Sequence, residues 1–483
     1  MIYAKYCYGM RYIMISVLFL MLAAGLSPNV NATARSQAGD VTELTGSWSG
    51  KLTVGTVSMN IVFNFTEAQN GVLVCTMDSP DQSVKGIPAE VEKFTADSLI
   101  VSVPAIGASF SGTFDRNPDS GSILSVFGNF SQSGTSFPLE LRYGKPIILR
   151  PQTPVPPFPY RTEEVFFANG DTVLAGTLSY PVGYDFESDA QVPVVLMVTG
   201  SGQQNRDEEL FNHKPFLVIA DYFARNGIAT LRYDDRGVGA SAGDPASVTV
   251  QSNMEDALAG LRYLDSLGRF GRVGVLGHSE GGTIAFMLGG KGEADFVISL
   301  AGAAVSGKEI LVRQNRTALL QAGMPEQMTD DYCTVLADVL DYRAEHVCPG
   351  EPVGDAGYIL DSLAKSSGAD LPDAVLKNLE TILSGTGAWV DSFVAYDPAE
   401  DIGKIACPVF ALNGSLDTQV DADMNLSALR NRLPENGGSV IKEYPGLNHL
   451  FQHCTTGNPS EYGTIIETVS RQVLKDMAAF ITK

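Results

Sequence analysis

The pattern of hydrophobic and polar positions changes twice along the chain. Residues 41–143 contain short runs in which Val, Thr and Phe alternate with polar residues, as in KLTVGTVSMNIVFNF. Turn segments such as NPDSGS separate these runs. Because alternation with period two indicates a strand with one buried face, we expect a small antiparallel sheet or barrel over 41–143.

From residue 161 the apolar runs become continuous and alternate with helical patterns. VPVVLMVTG (192–200), RVGVLG (272–277) and CPVFALNG (407–414) are typical of buried strands, whereas SNMEDALAGLRYLDSLG (252–268) has the periodicity of an amphipathic helix. Strands that alternate with helices predict a mostly parallel sheet with helices on both faces. The fold class expected for 161–483 is therefore α/β.

Two further segments divide the chain. Residues 144–160 are rich in proline, which removes backbone donors and stiffens the chain, so they are interpreted as a linker between domains. Residues from about 306 to 397 are mainly helical in pattern and interrupt the α/β domain before its last two strands. We expect this insert to form a helical lid.

The N-terminus has the pattern of an export signal. Lys5 and Arg11 precede an apolar run over 13–26, and the small residues Ala32-Thr33-Ala34 follow. This run is shorter than the roughly 20 residues that span a bilayer. Residues 1–34 are therefore interpreted as a cleaved signal peptide, and we expect a periplasmic or extracellular protein with no membrane span after cleavage.

Composition and charge narrow the function classes. The chain is 44 % hydrophobic and 18 % charged, which is typical of a globular protein, and its net charge is −22. Such an excess of negative charge repels nucleic acids and acidic membrane surfaces. We expect neither as a partner.

Two segments match the pattern G-x-S-x-G, in which a serine is presented on a sharp turn between a strand and a helix. Ser279 in GHSEGG (277–282) follows an apolar strand and precedes GGTIAFML, which has no polar interruption. Ser241 in GASAG (239–243) has no apolar strand immediately before it, and Asp244-Pro245 would interrupt a helix after it. Ser279 is therefore the candidate nucleophile, and Ser241 the residue of a structural loop.

A serine nucleophile needs a base, and the base needs an acid. His449 in LNHLF lies just after the last apolar strand, and His453 is the second choice. Asp417 follows the strand CPVFALNG and is preferred to Asp421 and Asp423. The order Ser279, Asp417, His449 is the order of an α/β-hydrolase triad.

An oxyanion hole requires two backbone donors. The N–H of Glu280, directly after the nucleophile, is one candidate. The other lies in the glycine-rich loop after the strand 192–198, where we favour the N–H of Ser201. No cofactor is expected, and HLFQH (449–453) lacks the glutamate and third ligand that a metal site would need.

Residues 160–483 resemble the α/β-hydrolase superfamily, and within it secreted bacterial carboxylesterases and serine aminopeptidase-like hydrolases. The matching motifs are GSGQQNRDE, LRYDDRGVGAS, GHSEGG, CPVFALNGSLD and LNHLF. Residues 41–143 resemble the β-rich domain that precedes some such esterases. The chain departs from the usual pattern at Thr199-Gly200, where such loops open with His-Gly. The resemblance implies that Arg236 has a structural role and pairs with a carboxylate.

The function expected from the sequence is hydrolysis of small carboxylic esters through an acyl-enzyme. Three alternatives stay open. A peptidase of the same fold would need a carboxylate, such as Glu208 or Glu209, for a free α-amino group. A thioesterase or a deacylase of acylated sugars would suit an exported protein. A binding protein that keeps the fold without catalysis is the third alternative, and an intact triad argues against it.

Overall fold

A computed structural model describes residues 40–483, except for 55–56, 69–71, 83, 133, 147–148, 188–190, 348–350, 352 and 386. The expected signal peptide, 1–34, lies outside the described residues and stays a prediction. No helix among the described residues is long and apolar enough to cross a membrane. The four described cysteines, Cys75, Cys333, Cys407 and Cys454, form no disulfide with one another.

The first part of the described chain is a closed barrel of antiparallel strands. Each strand pairs with the next, and β1 pairs with β8 at Trp48 and Tyr143, which closes the barrel. Alternate residues point inward, so that Phe63, Phe65 and Phe110 are fully buried in its core. The strands are β1 (Gly46–Val54), β2 (Val57–Glu67), β3 (Leu73–Ser79), β4 (Val84–Phe94), β5 (Ser98–Val103), β6 (Ala108–Arg116), β7 (Ile123–Gln132) and β8 (Thr135–Tyr143).

The second part contains a mixed sheet in the order β16-β15-β14-β13-β11-β12-β10-β9. β9 and β10 form an antiparallel hairpin, and the pairs from β12 across to β16 are parallel. The expectation of an α/β fold preceded by an all-β domain is confirmed. The strands are β9 (Thr162–Asn169), β10 (Thr172–Ser179), β11 (Val192–Val198), β12 (Ala229–Tyr233), β13 (Phe270–His278), β14 (Val297–Leu300), β15 (Val409–Gly414) and β16 (Val440–Tyr444).

Helices cover both faces of this sheet. Apolar residues of α2 (Val250–Ser266), α3 (Glu280–Gly290) and α10 (Ala422–Arg432) share one core with the sheet. Those of α1 (Pro215–Ala224) and α11 (Arg471–Ile481) form the core on the other side. Burial on both faces explains why the parallel strands are continuously apolar in sequence.

Helices also fill the chain between β14 and β15. They have an apolar core of their own, which includes Leu336, Val339 and Leu379. Arg343 and Asp391, both buried, form an ion pair with an N–O distance of 2.7 Å inside this cluster. The helices are α4 (Gly307–Gln321), α5 (Glu326–His346), α6 (Ala356–Ser367), α7 (Asp373–Ser384), α8 (Ala388–Ala395) and the short α9 (Ala399–Ile402).

Candidate active site

Ser279 occupies the turn between β13 and α3. Its backbone has φ 55° and ψ −118°, a conformation that is strained for a residue other than glycine. The glycines around it are required by close packing. A Cβ at Gly277 would overlap the carbonyl of Gly281, and a Cβ at Gly281 would overlap the carbonyl of Val198. The glycine spacing in GHSEGG therefore allows α3 to approach the sheet closely enough for this turn to form.

Ser241, the serine of the other G-x-S-x-G segment, has a different environment. Its hydroxyl donates to the carbonyl of Asp234 at 2.7 Å and accepts from the N–H of Ala175 at 2.9 Å. These bonds tie the loop after β12 to β10. Arg236 in the same loop pairs with the buried carboxylate of Asp256 at 2.6 Å, so the expectation that it pairs with a carboxylate is confirmed.

His449 and Asp417 are brought together from the segments after β16 and β15. His449 Nδ1 lies 2.8 Å from Asp417 Oδ2, and both side chains are buried. The other carboxylate oxygen of Asp417 accepts from the N–H groups of Gln419 and Val420, and Asn413 donates to Oδ2. A carboxylate held in this way fixes the Nδ1–H tautomer of His449, which leaves Nε2 able to accept a proton.

The His449 ring lies beside the turn that carries Ser279. Its centroid is 4.7 Å from that of His278, the residue directly before Ser279. His278 Nε2 also lies 3.0 Å from the backbone carbonyl oxygen of His449. The carboxyl ends of β13 and β15 lie at the same edge of the parallel sheet, which is the usual place for a site in such folds.

Two other histidines lie in different surroundings. His453 is largely exposed, and its Nδ1 lies 2.7 Å from Glu467 Oε2. His213 is fully buried between Thr468 and the carbonyl of Tyr462, and burial, together with the charge of Arg150, lowers its pKa to about 4. Within the part of the chain that the structure describes, no cluster of His, Cys, Asp and Glu could hold a metal ion.

The two predicted oxyanion donors lie on segments that flank Ser279. Gly200 faces it directly, since a Cβ at Gly200 would lie 3.2 Å from Ser279 Cβ, and Ser201 follows in the same loop. Thr199 donates its hydroxyl to Asp235 at 2.7 Å, which anchors the start of this loop. Glu280 is the first residue of α3, where N–H groups have no partner within the helix.

The side chain of Glu280 has a setting that the sequence did not predict. It is 4 % exposed, and it accepts hydrogen bonds from Asn253 Nδ2 at 3.0 Å and from Trp389 Nε1 at 2.7 Å. Burial raises the pKa of Glu280 to about 7, although both hydrogen bonds act in the opposite direction. A titratable group with a perturbed pKa therefore lies directly after the nucleophile.

The two glutamates considered for an α-amino group are both engaged elsewhere. Glu208 is 1 % exposed, and its Oε1 accepts from the N–H of Gly200 at 3.0 Å and lies 2.8 Å from His278 Nδ1. Glu209 pairs with Lys85 and Lys214, each at 3.5 Å. The acidic run RDEEL did not indicate that Glu208 is buried whereas Glu209 pairs with lysines, because runs of charged residues are usually solvated.

The strand order, the strained serine between β13 and α3 and the histidine–aspartate pair beyond β15 and β16 have the arrangement of the α/β-hydrolase fold, which an all-β barrel precedes. Residues 214–327 match the model of the family described as Serine aminopeptidase, S33. The chain is also 32 % identical over 142 residues to Esterase EstD of Thermotoga maritima. This match covers 29 % of the chain and spans a third (33 %) of the length of that relative.

The similar solved structures are more distant in sequence. The α/β hydrolase GrgF from Penicillium sp. sh18 is 15 % identical, with 67 % of this chain and 98 % of that chain covered at a TM-score of 0.41. The Pyrococcus furiosus esterase PF2001 is 14 % identical, with 70 % and 98 % covered at a TM-score of 0.40. At this distance neither likeness bears on activity.

Proposed function

We propose that this chain is an exported serine esterase that hydrolyses small carboxylic esters, with Ser279 as nucleophile, His449 as base and Asp417 as the acid that orients the base. The observation that carries the proposal is the buried contact of 2.8 Å between His449 Nδ1 and Asp417 Oδ2 beside the turn of Ser279. The similarity to EstD over part of the chain favours an ester as substrate.

The first half of the proposed reaction forms an acyl-enzyme. Ser279 Oγ attacks the ester carbonyl while His449 Nε2 takes its proton, and Asp417 stabilises the resulting imidazolium. The N–H groups of Ser201 and Glu280 donate to the oxyanion of the tetrahedral intermediate. When the intermediate collapses, the alcohol leaves with the proton that His449 returns to it.

The second half repeats these steps with water. His449 takes a proton from water, which attacks the acyl carbon, and the same donors hold the second oxyanion. Collapse of this intermediate releases the carboxylic acid and returns the proton to Ser279 Oγ. The proposed chemistry requires no cofactor and no metal ion.

Of the helices between β14 and β15, α4 to α8 are proposed to act as a lid that shapes the acyl pocket. The hydrogen bond from Trp389 on α8 to Glu280 supports this role, because it joins these helices to the residue after the nucleophile. Export to the periplasm or the extracellular space is proposed from the pattern of residues 1–34 alone.

A peptidase is the second candidate, because the matching family model is described as a serine aminopeptidase. It is less well supported, since Glu208 is buried and already bonded to Gly200 and His278. A deacylase of acylated sugars or a thioesterase would use the same acyl-transfer steps and differ only in the leaving group.

A substrate panel tests the proposal. p-Nitrophenyl esters of graded acyl length, an acetylated sugar, an acyl thioester and an aminoacyl p-nitroanilide are compared at equal concentration, with Ser279→Ala as control. We expect kcat/KM to be highest for a short-chain ester and the anilide to be a poor substrate. Faster hydrolysis of the anilide would favour the peptidase, and failure of Ser279 to react with a fluorophosphonate probe would refute a serine hydrolase.

A further inference from the structure

Two buried residues lie next to the turn of Ser279 and the segment of His449, although they take no direct part in the proposed acyl transfer. Glu208 is in the loop after β11, and His278 is the last residue of β13. Glu208 is 1 % exposed and His278 is 6 % exposed, and they contact each other through Glu208 Oε1 and His278 Nδ1 at 2.8 Å. Burial of a carboxyl group and an imidazole is costly unless they are paired.

The hydrogen bonds of His278 determine its protonation state. Nδ1 faces the carboxyl oxygen of Glu208, and Nε2 faces the backbone carbonyl of His449 at 3.0 Å. Both partners are acceptors, so both ring nitrogens must donate, and only the imidazolium has two N–H groups. Glu208 Oε1 also accepts from the N–H of Gly200, as expected of a carboxylate. The contacts thus describe an imidazolium–carboxylate pair.

Electrostatics agree with this geometry. Burial disfavours the charged imidazole, but the charge and the hydrogen bond of Glu208, with the carbonyl of His449, outweigh it and raise the pKa of His278. The other titratable groups that face the pair are His449, Asp417 and Asp235. The negative charge of Asp417 also favours the imidazolium.

The pair contacts three segments of the candidate site. Glu208 holds the N–H of Gly200, which faces Ser279 and directly precedes Ser201. His278 directly precedes Ser279 in the chain and holds the carbonyl of His449. One pair therefore links the loop of the oxyanion donors, the turn of the nucleophile and the segment of the base.

We propose that Glu208 and His278 are positioning residues, whose buried ion pair holds the oxyanion loop and the backbone of His449 in register with Ser279. This inference rests on the proposed esterase function. Neither residue is proposed to touch the substrate, and His278 cannot act as the base while its Nε2–H donates to the carbonyl of His449.

Glu208→Gln is a substitution that removes the charge and little else. Because one oxygen of Glu208 makes both hydrogen bonds, the amide oxygen of Gln can accept both of them. Without the carboxylate, His278 loses its second proton as the pH rises, and the lone pair of Nε2 then faces the carbonyl of His449. We expect kcat to fall between about ten-fold and a hundred-fold at pH 8, with a smaller loss at pH 6 and KM little changed.

Glu467→Gln is the matched control. It removes the carboxylate from the His453–Glu467 pair, in which His453 is exposed. The contact of this pair is similarly short at 2.7 Å, but the pair lies outside the proposed machinery. We expect its kcat to equal that of the unsubstituted protein from pH 6 to pH 9.

The experiment combines these pH profiles with ¹⁵N NMR of the full chain labelled at histidine, in which His278→Asn assigns the signal of His278. We expect both ring nitrogens of His278 to carry protons at pH 8, and one of them to lose its proton in Glu208→Gln. A neutral His278 ring in the unsubstituted protein, or an unchanged pH profile in Glu208→Gln, would overturn the inference.

If Glu208→Gln does not fold, the spectrum of the unsubstituted protein still decides the protonation state. Absence of esterase activity would refute the proposed function alone, because the spectrum tests the ion pair without substrate.

Discussion

The carboxyl group of Glu280 accepts a hydrogen bond of 2.7 Å from the indole N–H of Trp389, 109 residues further along the chain. This contact joins α3, which begins directly after the nucleophile, to α8 in the segment between β14 and β15. It also places an ionisable group in a buried position, so that both the stability and the fluorescence of the protein should depend on its protonation.

The first prediction concerns the pH dependence of stability. The pKa of Glu280 is about 7 in the folded chain, compared with an ordinary 4.5, so the folded state binds this proton more tightly than the unfolded state. Its contribution is fully present below pH 4.5 and is lost as the pH rises to about 7, by about 3 kcal/mol. In Glu280→Gln this loss disappears because the amide does not ionise. Both hydrogen bonds can be kept, since a flipped Asn253 amide can accept from the Gln amide and Trp389 can donate to its oxygen.

Urea unfolding at pH 5 and pH 8 measures this effect. The free energy of unfolding of Glu280→Gln, relative to the unsubstituted chain, should be higher at pH 8 than at pH 5. A difference that does not change between the two pH values would contradict the assignment of the buried proton to Glu280.

The second prediction uses Trp389 as a reporter of the same ionisation. Of the two tryptophans in the chain, Trp48 is buried in the barrel, where its indole N–H donates to the carbonyl of Leu44. Trp389 alone bonds to a titrating carboxyl group, so its emission should change with a midpoint near pH 7. Both Trp389→Phe and Glu280→Gln should abolish this transition. Its persistence in Trp389→Phe would assign it to another group.

The third prediction concerns the proposed triad. Ser279→Ala and His449→Ala should each lower kcat for a p-nitrophenyl ester by several orders of magnitude, and Asp417→Asn by about 10⁴-fold or less. Ser241→Ala is the control for the other G-x-S-x-G serine. It should lower stability by about 1 kcal/mol through its lost hydrogen bonds and keep its reaction with a fluorophosphonate. Loss of labelling in folded Ser241→Ala would question the choice between the two serines.

The fourth prediction concerns Gly277, which lies two residues before the nucleophile. Gly277→Ala would place a Cβ in the carbonyl of Gly281, so we expect the free energy of unfolding to fall by about 3 kcal/mol or more. Gly357→Ala is the matched control, because its Cβ would meet only side-chain atoms at 3.4 Å or beyond and it lies in α6. Urea melts of the two variants give the comparison. Equal stability of Gly277→Ala and the unsubstituted chain would contradict the close approach at the turn.

Several features of the fold could be predicted because their signals are local. Buried parallel strands such as β11 and β13 are continuous apolar runs, and the strands of the barrel alternate. Ser279 could be distinguished from Ser241 because only one of the two serines has an apolar strand before it and an apolar helix after it. His449 and Asp417 followed from their positions after predicted strands of one parallel sheet, whose carboxyl ends share an edge.

The residues behind the site could not be predicted in this way. Glu208 is in an acidic run that resembles a solvated loop, and its partner His278 is 70 residues away. The pairing exists because the loop after β11 crosses the end of β13, where both side chains are removed from water. Trp389 and Glu280 meet for a similar reason, since α8 packs beside the start of α3.

The sequence by itself therefore determined which segments are strands and helices, where the serine turn lies and which histidine and aspartate follow the last strands. These depend on periodicity and on steric rules that act over a few residues. Only the tertiary structure decided which charged side chains are buried and what they contact. Burial of a charge depends on partners from distant segments of the chain, and the local pattern of residues does not predict which partners these are.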